Sequence, residues 1–291
     1  MLNKLEFKKV RDFGETINDT FQFVKQNFRP LMKVYFYICG FFIIGTMIST
    51  TIHQLNMQEM AKAAGPFKGF AAFQSMLTIQ YGFTILVGIA SYTAMIVTVL
   101  SFIAIYVEKD KVSPTVEQVW AYFKYYYLRA LAGNILLSVF LVICMLPCGI
   151  AFIYVFPAMS IFFPVMIFEN GSVSFSFSRS FKLITNNWGL IAGSMIIIAI
   201  ITYATMSFAS IPTVILALAG AFVSGSKSLS LSAIIMSGIL QSLCQIFLIL
   251  PLVCSAICYF NLRERHENIG LLSRINEMGE TKDKADFTEE Y

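Results

Sequence analysis

Charged side chains are scarce in this chain, and they are missing from its long apolar stretches. Only 13% of the 291 residues are charged, whereas 57% are hydrophobic. With a mean hydropathy of +0.71, this composition does not suit a soluble domain of this length. The apolar stretches contain no Asp, Glu, Lys, Arg or His except at their ends. An ionisable residue inside a membrane usually marks a proton relay, an ion site or a membrane protease, so its absence argues against an ordinary ion-coupled transporter.

Catalytic motifs are absent as well. The sequence has no P-loop, no G-x-S-x-G, no H-E-x-x-H and no C-x-x-C. All six Cys lie in apolar stretches with no His or carboxylate beside them, which favours packing over metal binding. His53 and His266 fall on opposite sides of the predicted membrane and cannot form a site together. The sequence therefore predicts a non-enzymatic protein without catalytic residues, metal or cofactor, and nothing in it indicates nucleic-acid binding.

The apolar stretches predict six membrane-spanning helices. A bilayer core needs about 20 helical residues, and the third and fourth stretches fit that length. The second, fifth and sixth are longer, which predicts tilts, breaks or projection from the membrane. Pro212 and Pro251 are the predicted break points, with Pro157 and Pro164 acting likewise in the fourth span, because proline removes a backbone donor. The predicted spans are 31–52, 81–107, 129–148, 150–168, 189–222 and 230–260.

Positive charge outside the spans is one-sided. The loops on the N-terminal side hold 18 of the 21 Lys and Arg residues, and the opposite side holds only Lys62, Lys68 and Lys227. Cations near span ends resist translocation and so set the orientation. The sequence predicts that both termini are cytoplasmic.

An apolar and aromatic pattern recurs three times along the chain. In each copy five such residues share one face of a helix, and the third and fifth are aromatic. The pattern predicts an all-α integral membrane protein whose six transmembrane helices form three repeats, each an amphipathic interfacial helix followed by a transmembrane hairpin. The repeats cover about 12–108, 112–169 and 173–261. The three sets are Phe13, Ile17, Phe21, Val24 and Phe28; Val112, Val116, Trp120, Phe123 and Tyr127; and Val173, Phe177, Phe181, Ile184 and Trp188.

The ends of the spans support this division. Glu108 and Glu169 each end a span four residues before the next copy, either as carboxylates at a cytoplasmic mouth or simply as helix ends at the interface. Ser113-Pro114 predicts an N-cap with proline at the first helical position. The membrane domain takes up residues 1–262. An amphipathic cytoplasmic helix over 263–279 and a disordered acidic tail over 280–291 follow it.

Two groups of polar residues are candidates for binding. Lysines and arginines beside the interfacial helices could contact anionic lipid headgroups, or they could only fix topology while the helices pack as elbows. Polar residues at depth could line a cavity, or they could hydrogen-bond between helices. The headgroup candidates are Lys25, Arg29, Lys124, Arg129, Arg179 and Lys182, and the cavity candidates are Asn134, Gln241 and Gln245.

Two short motifs resemble a known family. They are Ser178-Arg179-Ser180-Phe181-Lys182-Leu183 with Asn187-Trp188-Gly189 opening a span, and Tyr259-Phe260-Asn261-Leu262-Arg263 closing the last span. Both resemble a broad group of uncharacterised bacterial polytopic proteins, related to the membrane domain fused to some glycerophosphodiester phosphodiesterases. The resemblance covers about residues 12–265 and carries over no catalytic residue. It implies a bacterial inner-membrane location, this architecture and a connection with lipid.

Two functions follow from these patterns. The first is a non-enzymatic inner-membrane scaffold, or a module that binds membrane lipids or a protein partner in the membrane. The alternative is a transporter or channel for a lipid-like or neutral small solute, since transporter folds are often built from repeats. A polar, water-filled central cavity would favour transport, and a bundle closed by Phe and Leu would favour a scaffold.

Overall fold

The computed structural model describes residues 5–63, 78–145, 150–224 and 231–267, and the regular structure in these ranges is helical. A short non-helical segment, residues 5–12, precedes the first helix and is called the strap below. The elements are α1 (Phe13–Ala63), α2 (Ile79–Glu108), α3 (Val116–Met145), α4 (Ile150–Ser160), α5 (Phe162–Phe168), α6 (Val173–Ile184), α7 (Trp188–Ser224), α8 (Leu231–Cys244), a 3₁₀ turn (Gln245–Leu248) and α9 (Ile249–Glu267).

Five helical segments of the described chain are long and apolar enough to cross a membrane. They are Phe13–Met60, Ile79–Glu108, Val116–Met145, Trp188–Phe208 and Ile234–Glu267. The fourth predicted span is shorter, because its apolar helical part covers only Phe152–Phe168. At about 1.5 Å per residue this segment measures roughly 26 Å, against a hydrocarbon core of about 30 Å. A sixth crossing therefore stays a prediction.

The core lies along α2 and α9. Every residue from Thr93 to Tyr106 is buried, and so is every residue from Leu252 to Leu262. A helix that is apolar on all sides needs this central position, since any exposed face would leave apolar surface uncovered. The outer helices present large apolar side chains instead, with Tyr37 75% and Phe41 83% exposed. Soluble monomers rarely show such contiguous apolar surface, whereas lipid tails would cover it.

Two helices begin with reciprocal capping. At the start of α1 the Asp12 carboxylate accepts from the Glu15 N–H (2.7 Å), and the Glu15 carboxylate accepts from the Asp12 N–H (3.2 Å). Thr115 and Gln118 form the same arrangement before α3. The predicted N-cap at Ser113 is therefore wrong by two residues. The Ser113 hydroxyl instead donates to the side-chain oxygen of Asn27 at 3.3 Å.

Separate interfacial helices form in one of the three copies. The first amphipathic segment continues into the rest of α1, which runs through Pro30, and the second continues into the rest of α3. The expectation of a separate helix is wrong for these two copies, because no turn residue stops the helix after the apolar face. In the third copy α6 ends at Ile184, and Asn186 takes a positive φ of 73° before α7 begins. Asparagine tolerates this left-handed conformation better than most residues.

Proline breaks the helices at two of the predicted places. Pro164 leaves the Ser160 carbonyl without its α-helical donor, and α4 ends there. Pro251 does the same to the Phe247 carbonyl, which accepts from the Ile249 N–H in the 3₁₀ turn instead. The predicted breaks at Pro157 and Pro212 are wrong, because α4 runs through Pro157 and α7 runs through Pro212. Half of the predicted loop 53–80, most of the turn 223–229, most of the helix 263–279 and the whole tail 280–291 lie outside the described residues. Residues 53–63 of that predicted loop continue α1 instead.

Candidate functional site

A cavity of about 590 Å³ lies between α2, α3, α4, α5, α7 and α9, and we call it the inner cavity. Asn134 is one of its lining residues, as the sequence predicts for that position. The Asn134 side chain also donates to the Thr93 hydroxyl at 2.9 Å, so it joins α3 to α2 at the same time. Both interpretations of this residue therefore hold in the structure. Ser160 and Pro164 at one helix break line the cavity, as do Leu248 and Pro251 at the other.

The serine and threonine hydroxyls around the inner cavity bond to their own helices. Ser138 donates to the Asn134 carbonyl (2.7 Å), Thr202 to the Ile198 carbonyl (2.8 Å) and Ser255 to the Leu252 carbonyl (2.8 Å). A hydroxyl that donates within its own helix has no proton left for a ligand. The remaining wall is largely apolar, with Leu137, Phe156, Met159 and Phe163 among the lining residues. The inner cavity therefore suits an apolar occupant better than a water-filled path.

An apolar groove of about 510 Å³ adjoins the inner cavity. It lies between α4 and α7, and Phe156, Ala199 and Tyr203 line both spaces. Its other walls include Pro157 and Ile196. Along α7 the groove extends from residue 188 to residue 203, which corresponds to roughly 22 Å at about 1.5 Å per residue. That length is sufficient for an acyl chain, since one leaflet of the hydrocarbon core is only about 15 Å deep.

The groove has a polar end. A notch of about 350 Å³ adjoins it at Trp188, which lines both, and the exposed Lys182 and Asn186 lie in the wall of this notch. The Trp188 indole N–H donates to the Tyr154 carbonyl at 3.0 Å, so α7 is tied to α4 where the groove begins. Tryptophan with its polar edge held and its ring on apolar surface is typical of a membrane interface. Notch, groove and inner cavity together form an amphiphile-shaped surface, named the lipid path here.

The six predicted headgroup cations divide into two sets. Lys25, Arg29, Lys124 and Lys182 are exposed, and of these Lys182 lines the notch. Arg129 is half-buried and binds within the protein. Its guanidinium donates to the Asn170 side chain (2.9 Å) and to backbone carbonyls of the turn after α5, and it lies over the Tyr125 ring at 5.3 Å. We therefore expect Arg129 to contribute to packing more than to lipid binding.

Arg179 belongs to an ion-pair cluster that joins α6 to the end of α5 and to α9. Its guanidinium pairs with Glu169 at 3.3 Å and with Glu267, and the Tyr259 hydroxyl donates to Glu169 at 3.0 Å. Burial alone would lower the pKa of Arg179, but the two carboxylates outweigh it and raise that pKa above the ordinary arginine value. Glu169 also caps α5, so it serves as a helix end and as an internal ion-pair partner.

The two glutamines predicted to line a cavity lie elsewhere. Neither Gln241 nor Gln245 lines the inner cavity. The Gln241 side chain accepts from Gln54 at 3.3 Å and so joins α8 to α1, which is the interhelical alternative. Gln245 starts the 3₁₀ turn. A 3₁₀ turn has three residues per turn instead of 3.6. Gln245 therefore does not lie on the same face as Gln241, as an i, i+4 spacing would predict for a regular α-helix.

Sequence reasoning missed the strap and its central residue, Arg11. This side chain is 1% exposed, and its guanidinium donates to Asp19 (2.7 Å) and to the carbonyls of Phe7 and Lys9, and also to that of Glu6. The Asn261 side chain bonds both the N–H and the carbonyl of Arg11, which fixes the strap to α9. The alternation of apolar Leu5 and Phe7 with charged residues was the available signal, because both side chains are buried.

Comparisons with known proteins add no relative. No family model, curated protein or solved structure matches this chain. The resemblance drawn from the two short motifs stays a prediction. Among the described residues, no group of three or more His, Cys, Asp or Glu side chains is placed to hold a metal ion.

Proposed function

We propose that this chain is a lipid-binding protein of a bacterial inner membrane and that it binds a single membrane lipid along the lipid path. The supporting observation is the continuity of three surfaces of different character. Lys182 supplies a cation at the notch, Trp188 marks the boundary, and Phe156, Ala199 and Tyr203 connect an apolar groove with an apolar cavity. A lipid with its anionic headgroup at Lys182 and its acyl chain in the groove would contact each surface with a group of matching character.

The finer membrane arrangement belongs to the same proposal. We infer six crossings with both termini in the cytoplasm, and three repeats. The skew of positive charge supports the orientation, since cations near span ends resist translocation. In this orientation Lys182 and the notch lie at the level of the cytoplasmic headgroups. Equivalent ends of two predicted repeats support the repeat, because Glu108 ends α2 and Glu169 caps α5 at the spacing of the second and third copies.

Retained lipid tests the proposal. The purified protein is exchanged into nanodiscs that contain phosphatidylglycerol and phosphatidylethanolamine in equal amounts, and the bound lipid is measured by native mass spectrometry. Ala199→Trp should fill the groove where it meets the inner cavity and should remove most of the retained lipid. Lys182→Gln should keep a bound lipid but lose the preference for phosphatidylglycerol. These two changes separate the acyl-chain part of the path from the headgroup part.

A matched control separates the lipid path from general surface charge. Lys25→Gln and Lys124→Gln remove exposed cations that line none of the three surfaces of the path, so lipid retention should stay as in the parent. Arg179 is left in place because it holds Glu169 and Glu267. If a folded Ala199→Trp protein keeps the parent's lipid, no lipid occupies the path. If the Lys25 and Lys124 variants lose as much anionic lipid as Lys182→Gln, surface charge alone explains the binding.

A second function, movement of a lipid-like solute, rests on a separate observation. Both helix breaks, at Ser160–Pro164 and at Leu248–Pro251, line the inner cavity. Interrupted helices around a binding cavity are typical of transporters, because freed backbone groups and weak points of the helix meet the substrate there. Transfer of a fluorescent lipid between leaflets of reconstituted vesicles measures this activity. Transfer that Ala199→Trp abolishes would support the transporter, and transfer equal to that of protein-free vesicles would exclude it.

A further inference from the structure

A second cavity, of about 620 Å³, lies where α2 and α5 end, and we call it the tyrosine cavity. Tyr122, Tyr125 and Tyr126 of α3 form one wall. Apolar residues of three other helices, namely Val107 of α2, Phe168 of α5 and Phe260 of α9, also line it. The tyrosine cavity shares no lining residue with the notch, the groove or the inner cavity. Its occupancy is therefore independent of the proposed lipid path.

Three charged side chains line the tyrosine cavity, and they carry both signs. Lys8 comes from the strap, Glu108 from the end of α2 and Arg263 from α9. Because these residues belong to different parts of the chain, only the folded protein brings them together. Cavities of roughly 300–1,000 Å³ with a few charged groups on otherwise apolar walls are the usual form of a small-molecule site.

Glu108 and Arg263 are held in place by hydrogen bonds, whereas the exposed Lys8 is positioned only through the strap backbone. The Tyr122 hydroxyl donates to Glu108 at 2.8 Å. The Arg263 guanidinium donates to Glu267 at 2.9 Å and to the Tyr259 hydroxyl at 3.4 Å. Lys8 follows Phe7, whose ring is 3% exposed and contacts the Phe260 ring edge-to-face at 5.4 Å. Glu108 and Arg263 are thus preorganised, since the cost of ordering these two side chains does not fall on the ligand.

The mixture of charges decides the class of ligand. A purely anionic ligand would meet the Glu108 carboxylate, and a purely cationic ligand would meet Lys8 and Arg263. A molecule with one group of each sign satisfies all three charges, and phenol rings add a favourable surface for an ammonium group. We propose that the tyrosine cavity binds a zwitterionic phosphate ester. Its phosphate lies against Lys8 and Arg263, and its ammonium group lies against Glu108 and the tyrosine rings.

Binding of phosphoethanolamine to the full-length protein in lipid-free detergent tests this site by calorimetry. Glu108→Gln should weaken phosphoethanolamine binding by about tenfold or more, the usual effect of losing one charge-assisted contact. The same change should strengthen the binding of inorganic phosphate, because a repelling carboxylate is gone. Lys8→Gln should weaken both ligands. Asp110→Asn and Lys109→Gln are the matched controls, since both residues are exposed and line none of this cavity, and they should leave both affinities unchanged.

A second arm identifies the source of the zwitterion. Nanodiscs of phosphatidylethanolamine and phosphatidylglycerol present the group as a lipid headgroup, and native mass spectrometry compares retention by the parent and by Glu108→Gln. Saturable binding of soluble phosphoethanolamine assigns the site to a free metabolite. Retention of phosphatidylethanolamine that depends on Glu108 assigns it to a headgroup. The proposal is overturned if neither form binds, or if Glu108→Gln and Asp110→Asn have the same effect on phosphoethanolamine. A lipid path that fails its own test leaves this result unaffected, because Ala199 and Lys182 are not part of the tyrosine cavity.

Discussion

Arg11 is both a cation that contributes to the predicted orientation and a buried residue that stabilises the fold. In the sequence it is one of the cations that predict a cytoplasmic N-terminus. In the structure it is buried against Asp19 and three backbone carbonyls. Burying an unpaired guanidinium would cost several kcal/mol, so its full set of partners is a condition of the fold. Arg179 and Arg263 are likewise paired inside the protein, with Glu267 between them. Part of the predicted charge skew therefore consists of cations that stabilise the fold through internal ion pairs.

The Asn261 contact with the strap gives a test at this scale. Asn261→Ala should leave the buried N–H of Arg11 without an acceptor, while the Arg11 carbonyl keeps the Arg265 guanidinium at 2.7 Å. One buried, unbonded N–H costs about 1–3 kcal/mol. We expect a clear fall in the apparent unfolding temperature in detergent. Asn18→Ala on the exposed face of α1 should cause no comparable change. Equal unfolding temperatures for the two variants would mean that the strap does not stabilise the bundle.

At the scale of elements, the helices α1 and α8 come into close contact at a glycine. A Cβ atom added at Gly238 would lie 2.3 Å from the Thr51 hydroxyl oxygen, which in turn donates to the Met47 carbonyl at 2.7 Å. The two helices can reach this distance because glycine has no side chain. A close approach of this kind is a common way for helices to associate in a membrane.

Gly238→Ala should therefore destabilise the protein by about 1–3 kcal/mol, the usual cost of overpacking. Gly189→Ala in α7 has nothing within 4 Å of the added atom, and it should be neutral or stabilising because alanine favours the helix. Thermal unfolding of both variants in the same detergent gives the comparison. The double change Thr51→Ala with Gly238→Ala should recover stability. A double variant no better than Gly238→Ala would show that contact with Thr51 is not the cause.

Helices and their breaks were more predictable than their contacts. Apolar stretches predict α2 and α7 to within two residues at each end, and proline chemistry predicts the breaks at Pro164 and Pro251. Asn134 could be placed near a cavity because a polar residue at depth needs a partner. The lipid path could not be predicted, since α4 and α7 meet only in the folded bundle. Periodicity describes one helix face at a time and contains no information about which faces meet.

At the scale of the molecule, the orientation in the membrane decides on which side the notch lies. This orientation can be measured. Single cysteines at positions 62 or 68 should react with a membrane-impermeant thiol reagent in intact cells. Cysteines that replace the exposed residues Thr115 or Ser178 should not react until the cells are opened. The background should be low, because the five native cysteines within the described residues are buried. The reverse labelling pattern would show that the protein has the opposite orientation, with the notch at the outer face.

The strap also sets the point during synthesis at which folding can be completed. Arg11 and Asn261 are 250 residues apart in sequence, yet they form two hydrogen bonds. A ribosome adds about 5–20 residues per second, so the strap waits roughly 10–50 s before α9 is even made. During that interval Leu5 and Phe7 lack the aromatic ring of Phe260 that Phe7 contacts in the finished fold. Chains that stop before α9 therefore leave uncovered the part of Phe7 that Phe260 covers in the finished fold, although Phe23 and Tyr106 can already contact it. Membrane proteases and chaperones that recognise exposed apolar side chains could therefore distinguish incomplete chains from complete ones.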